Sequence, residues 1–197
     1  MVLTQMLEDV INFTETPINE ANFTEECRKE LEQKGVVTLH NFLKPETIKE
    51  LVHEAKSHSG LAYFTNSTHN VYLTPRNETL SPEHVFNRQL TSSKGCITTD
   101  QIPEASKLKK LYFSDIFKKF ICRVVGETDL YEYADPLSSI NVHYAAKGQE
   151  LNWHFDNSKF AITLLLQAPE SGGHFEYVSN LRNAEKNEMN FEGVEAV

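Results

Sequence analysis

Leu151-Asn-Trp-His-Phe-Asp156, with the apolar runs on either side of it, decides how the fold is read. Alternation with period two makes this stretch a strand and places Asn152, His154 and Asp156 on one polar side. Upstream, Ile140-Asn-Val-His-Tyr144 alternates in the same way, with Ile140, Val142 and Tyr144 on one face and Asn141 and His143 on the other. Downstream, Phe160-Ala-Ile-Thr-Leu-Leu-Leu166 is a nearly unbroken apolar run of strand length, the pattern of a strand buried on both faces. Gly172-Gly173 then reads as a hairpin turn into His174-Phe-Glu-Tyr-Val178. From residue 135 onward the expectation is a meander of closely spaced strands.

The N-terminal two thirds have a different texture. Met1 to Asn22 has weak periodicity and reads as a loose arm or a short helix. Thr24 to Gly35 is a helix by its signals, with acids in the first turn and glycine as the stop. Val36-Val-Thr-Leu39 reads as a short strand, and Pro45 to Ala55 as an amphipathic helix behind a proline at its first position. His69 to Leu73 is expected to be a strand that Pro75 ends, followed by a polar surface connection from Asn77 to Lys94. Two further helices are predicted over Ser106–Leu111 and Asp115–Val125, the second stopped at Gly126.

Composition narrows the function classes. The 197 residues are 40% hydrophobic and 24% charged, which suits a globular chain with one buried core. Nineteen basic against 28 acidic residues give a net charge of -9, the wrong sign for a phosphate-backbone partner. No apolar run approaches the ~20 residues of a membrane helix. The N-terminus lacks a basic secretory n-region, and three scattered cysteines suit a reducing compartment, so a cytoplasmic location is expected. GxSxG, P-loop, GxGxxG and HExxH motifs are all absent. His40, His53, His58, His69 and His84 show no ligand spacing among themselves.

The chemistry therefore rests on His154 and Asp156. On a strand, residues i and i+2 share a face, so the imidazole and carboxylate can chelate one ion, two thirds of a two-histidine, one-carboxylate facial triad. Taken alone, the same spacing also describes the exposed polar face of an antiparallel strand. The wider series carries more information: Asn141-Val-His-Tyr144, Gly148, Trp153-His-Phe-Asp156, Thr163-Leu-Leu-Leu-Gln167 and Gly172-Gly-His-Phe-Glu-Tyr177, in that order. It resembles the iron(II)/2-oxoglutarate-dependent dioxygenase superfamily, in the branch of small oxygenases that includes amino-acid hydroxylases and halogenases. The resemblance runs from about Gly35 to the C-terminus and is strongest over residues 135–182.

That resemblance implies His154 and Asp156 as the two adjacent iron ligands. It also implies that Tyr144 hydrogen-bonds the 2-oxoglutarate carboxylate, although a core tyrosine would occupy the same position. Halogenating relatives carry a small residue where the carboxylate stands, so Asp156 favours hydroxylation. The superfamily closes its triad with a distal histidine, followed by an arginine for the far carboxylate of 2-oxoglutarate. After Asp156 this sequence has only His174 and Arg182 of those types, and His174 falls a hairpin too early. The expectation is that the chain stops at Val197 before the closing strands, as a fragment, a truncated product or a degenerate relative.

The resulting expectation is a single α+β domain over residues 1–197. A mainly helical part, 1–134, would pack on a double-stranded β-helix (jelly-roll) core begun by residues 135–197 and left open at the C-terminus. Its function would be hydroxylation of a small molecule such as an amino acid, with Fe(II), 2-oxoglutarate and O2 and without nucleic-acid or membrane partners. The alternative is a truncated or non-catalytic dioxygenase-like binding module.

Overall fold

The computed structural model describes residues 7–135, 137–183 and 186–197. The chain divides into two compact units, the first from residues up to Ala62 with Cys96–Val142, the second from Tyr63–Gly95 with His143–Val197.

The first unit is helical. α1 (Ala21–Lys34) ends where Gly35 turns left-handed at φ 74° and returns its N–H to the Leu31 carbonyl. Replacing Gly35 with alanine puts a Cβ into that conformation, so Gly35→Ala should cost about 1 kcal/mol in denaturant unfolding. α2 (Pro45–His58) carries its proline in the first turn and buries Thr47 and Leu51. α3 (Lys107–Tyr112) is capped by the Ser106 hydroxyl, which accepts from the Leu108 N–H. α4 (Asp115–Val124) buries Phe120, Cys122 and Val124. Phe23 on α1 stacks on Phe120 at 6.2 Å, and Phe42 meets Phe117 at 5.8 Å, so the helices close on one apolar core.

Two local expectations are corrected here. The arm before α1 is packed rather than loose: Leu7, Val10, Ile11 and Ile18 are buried. Residues 1–6 of that expectation lie outside the described residues. Val36–Leu39 forms no strand, because the chain pairs a few residues later: Ile11 bridges Leu43, with Asn12 N–H donating to Phe42 O and Lys44 N–H to Val10 O. Thr47, fully buried, donates its hydroxyl to the Asp9 carbonyl and ties α2 to this arm.

Among the described residues, a three-stranded antiparallel sheet in the order β1 (Tyr63–His69), β2 (Leu90–Ile97), β3 (Val142–Tyr144) supplies the strands. Phe64 lies over Gly95 so closely that a Cβ there would come within 2.6 Å of its ring. Gly95 is the residue that this cross-strand contact admits. The expected strand His69–Leu73 is displaced upstream, and the end of the expected surface connection, from Leu90, forms the first part of β2. The second unit ends in a short helix, α5 (Phe191–Glu195), for which the sequence carries little periodicity.

The α+β class stands, and the strands among the described residues are the three of this small sheet. Of the expected strands after residue 135, only the end of Ile140–Tyr144 is one. Leu151–Asp156 is broken at Asn152, whose φ of 58° is left-handed and whose own side chain accepts from the Trp153 N–H. Phe160–Leu166 is irregular and mostly open to solvent, with Leu165 73% exposed rather than buried on both faces. Gly172 and Gly173 do turn left-handed, at φ 69° and 61°, yet 174–178 stays irregular and exposed. A strand apolar on both faces is stable only between two layers, and the described residues supply none against this run.

Candidate functional site

His154 and Asp156 converge without a strand to align them. Asn152 in its left-handed turn aims its carbonyl at His154 Nδ1, 2.9 Å away, and leaves Nε2 free to face Asp156 Oδ1 at 3.4 Å. Two donors at right angles, each ~2.1 Å from one ion, stand roughly 3 Å apart, so the pair suits adjacent positions of an octahedral ion. A carbonyl holding one imidazole nitrogen is the usual outer support of a metal-binding histidine, since it fixes the tautomer and the ring. Both side chains stay accessible, 31% and 52% exposed.

The residue between them holds the segment. The Phe155 N–H donates to Val71 O at 2.8 Å, and its ring stacks on Tyr72 at 5.5 Å. Tyr72 is only 2% exposed, stacks also on Phe86 and donates its hydroxyl to Met189 O at 2.8 Å. Burial pushes its pKa above the ordinary phenol value, an effect that nearby Arg182 opposes. The Arg182 guanidinium lies 4.1 Å from the Phe155 ring centre and 5.8 Å from that of Tyr72.

His69, at the end of β1, meets the His154 ring edge to face, with ring centres 5.7 Å apart. Its Nδ1 faces Asn70 O at 3.0 Å and its Nε2 faces Leu151 O at 3.2 Å. Both partners are carbonyls, so each contact needs an N–H from the ring. His69 also lines a cavity of about 520 Å³ with Thr68, Asn70, Leu73, Arg76 and Gln89. Asn70 is internally committed, accepting from the Tyr72 and Thr74 N–H groups and donating to Thr74 O. Arg76, which approaches Glu78 at 3.7 Å, stays half exposed at the cavity wall.

Among the described residues, no group of three or more His, Cys, Asp or Glu side chains is arranged to hold a metal ion. Tyr144 lies half-buried on β3, ten residues before His154. His174 is exposed on the irregular segment after Gly173. His69, Tyr72 and Arg182 are the neighbours of the pair that spacing could not identify. They are brought in by turns and stacking, which leave no periodic trace in sequence.

His143, the neighbour of Tyr144 on β3, has its pKa lowered by the protein packed around its ring and then by the Lys94 ammonium. The folded state thus disfavours the imidazolium, and stability is retained above the unfolded value near 6.5 and declines as pH falls below it. Because the residue keeps much solvent contact, the loss should be modest. Melting curves between pH 5.5 and 7.5 should show a slope that His143→Gln reduces; an unchanged slope would assign it elsewhere.

No described helix is long and apolar enough to cross a membrane. None of the curated proteins is similar enough to this chain to count as a match. A family model described as halogenase D matches residues 19–195, which takes in α1 to α5, the sheet and the His154–Asp156 pair. A match over nearly the whole chain is a statement about the protein rather than about one motif: it belongs to the halogenase D family, a family of oxygenase- or halogenase-type enzymes.

Proposed function

We propose that the protein is an Fe(II)- and 2-oxoglutarate-dependent oxygenase that hydroxylates a small molecule such as an amino acid. The observation that carries this reading is the 3.4 Å approach of His154 Nε2 to Asp156 Oδ1, with Nδ1 already engaged by a carbonyl. When bound, Fe(II) with 2-oxoglutarate and O2 supplies the oxidising chemistry: one oxygen enters the substrate C–H bond, and the other enters succinate as CO2 leaves.

The chain's own residues do the rest. His154 and Asp156 give the ion two adjacent donors, and Tyr144 is the candidate to hydrogen-bond the cosubstrate carboxylate. The cavity beside His69 has room for a molecule of amino-acid size, and Arg76 offers a partner for a carboxylate. Asp156 bears on the choice between hydroxylation and halogenation. A carboxylate occupies the position that a halide would need, so the reading is hydroxylation rather than halogenation.

The second reading, a non-catalytic binding module, is favoured by one observation: the described residues assemble two donors, not three. With two, the metal is weakly held and turnover is slow. The test is incubation of the protein with Fe(II), 2-oxoglutarate, O2, chloride and a mixture of free amino acids, followed by mass spectrometry. Succinate rising with an equal amount of a hydroxylated amino acid, both lost in His154→Ala, supports the oxygenase. A chlorinated product instead would assign halogenation. Neither product, with no Co(II) binding in calorimetry, leaves the binding module.

A further inference from the structure

Three features of the second unit invite a further reading: the cavity beside His69, the exposed apolar run Phe160–Leu166, and Arg182. The cavity is already the substrate space of the proposed function, and nothing among the described residues says what covers the run. Arg182 carries more. It is half-buried, and among the described residues no carboxylate forms an ion pair with it. Its guanidinium faces two rings instead, 4.1 Å from the centre of Phe155 and 5.8 Å from that of Tyr72, while those rings stand 5.5 Å apart. The three groups form a closed triangle. A guanidinium within ~6 Å of an aromatic centre is attracted by the ring quadrupole, the more so when partly desolvated.

Phe155 is the residue between the two candidate ligands, and its segment lacks the sheet pairing that would otherwise hold it. Besides the ligand pair's own contacts, the segment is restrained by the Phe155 N–H on Val71 O, the stack on Tyr72 and the Arg182 contact. Tyr72 is fixed by burial and by its bond to Met189 O. Arg182 joins the half-buried Phe155 ring to the buried Tyr72 ring.

We propose that Arg182 is a positioning residue: by bridging Phe155 and Tyr72 it holds the His154–Asp156 turn in the geometry that receives a divalent ion. The metal half of this inference rests on the ligand roles proposed above; the clamp itself does not. Without Arg182 the Phe155 ring gains freedom, the Val71 bond opens more often, and His154 and Asp156 spend less time at chelating distance. Arg182→Met keeps the stem and loses the charged plane, Arg182→Lys keeps the charge alone, and Phe155→Leu removes the ring on which both act.

Two measurements decide it. In the metal-free protein, amide exchange at Phe155 should be about tenfold faster in Arg182→Met, with β2 amides unchanged and an intermediate rate in Arg182→Lys. Calorimetric titration with Co(II) alone should show affinity about fivefold weaker in Arg182→Met, and the same substitution should have no further effect in a Phe155→Leu background. Exchange at Phe155 within twofold of wild type overturns the clamp, as does equal acceleration at Phe155 and in β2, which marks a general loss of stability. An unchanged Co(II) affinity, or the full loss persisting without the Phe155 ring, overturns its role in positioning. A wild type that binds no Co(II) refutes the ligand assignment and with it the metal half, while the exchange rates still decide whether Arg182 clamps the turn.

Discussion

In Asp156→Ala, the rise in melting temperature that Co(II) and 2-oxoglutarate give the wild type should disappear. Co(II) is a fitting probe because it takes imidazole and carboxylate donors and supports no turnover of the cosubstrate. A ligand that binds only the folded state stabilises it by RT ln(1 + [L]/Kd), about 2.7 kcal/mol at a hundredfold excess over Kd. For a chain of this length that corresponds to a shift of roughly 5–10 °C. Removing one of two protein donors leaves a single imidazole, which holds an ion no better than a surface histidine does. The metal-free melting temperature should hardly move, because the Asp156 side chain is 52% exposed and, among the described residues, pairs with the partly exposed His154 imidazole. That contrast makes the variant informative: a large loss of ligand response with little loss of stability separates a binding role from a structural one. A full shift retained in Asp156→Ala would place the metal elsewhere and defeat the oxygenase reading.

The local signals of the helices were legible because they are written in consecutive residues. Pro45 at a first turn, Gly35 after the last turn of α1 and Ser106 before α3 each act through their own backbone neighbours, and each does in the structure what its type implies. The strands were not legible in the same way, because alternation states a preference for a face and supplies no partner. Val36–Leu39 has the β-branched composition of a strand, yet the neighbouring pairing forms at Ile11 and Leu43. Phe160–Leu166 has the composition of a buried strand and finds no layer to bury it.

The site shows the same division. Sequence spacing singled out His154 and Asp156 and proposed a strand to align them. The structure brings them within 3.4 Å through a left-handed Asn152 and a carbonyl on His154 Nδ1. Asparagine tolerates that backbone region better than most residues, so Asn152 held a cue that the alternation outweighed. Tyr72 and Arg182 are 83 and 27 residues from Phe155, counted along the sequence. Their convergence on its ring is a product of tertiary packing, which composition and period do not encode.

Tyr72→Ala should be the most destabilising single change in the second unit, by about 3–5 kcal/mol in denaturant unfolding. The ring is 2% exposed and stacks on Phe86 at 5.2 Å and Phe155 at 5.5 Å, with Phe191 set edge-on at 6.0 Å. Truncation leaves an aromatic-sized void among three other rings that cannot all move inward, because each has its own backbone anchor. Tyr72→Phe isolates the hydroxyl. It loses only the bond to Met189 O, in a place that solvent partly reaches, and should cost about 1 kcal/mol or less. Alkaline pH provides an independent check on the same group. Burial raises the Tyr72 pKa, so the unfolded chain ionises first and the stability contribution, intact below about pH 10, is lost as pH rises beyond it. Tyr72→Phe should therefore flatten the alkaline limb of the stability curve relative to wild type. The functional consequence follows from position: Phe155 loses the fixed ring that orients it, so Tyr72→Ala should also weaken Co(II) binding even where most molecules remain folded. A Tyr72→Ala variant that unfolds within ~1 kcal/mol of wild type would show that the aromatic cluster is not the core of this unit.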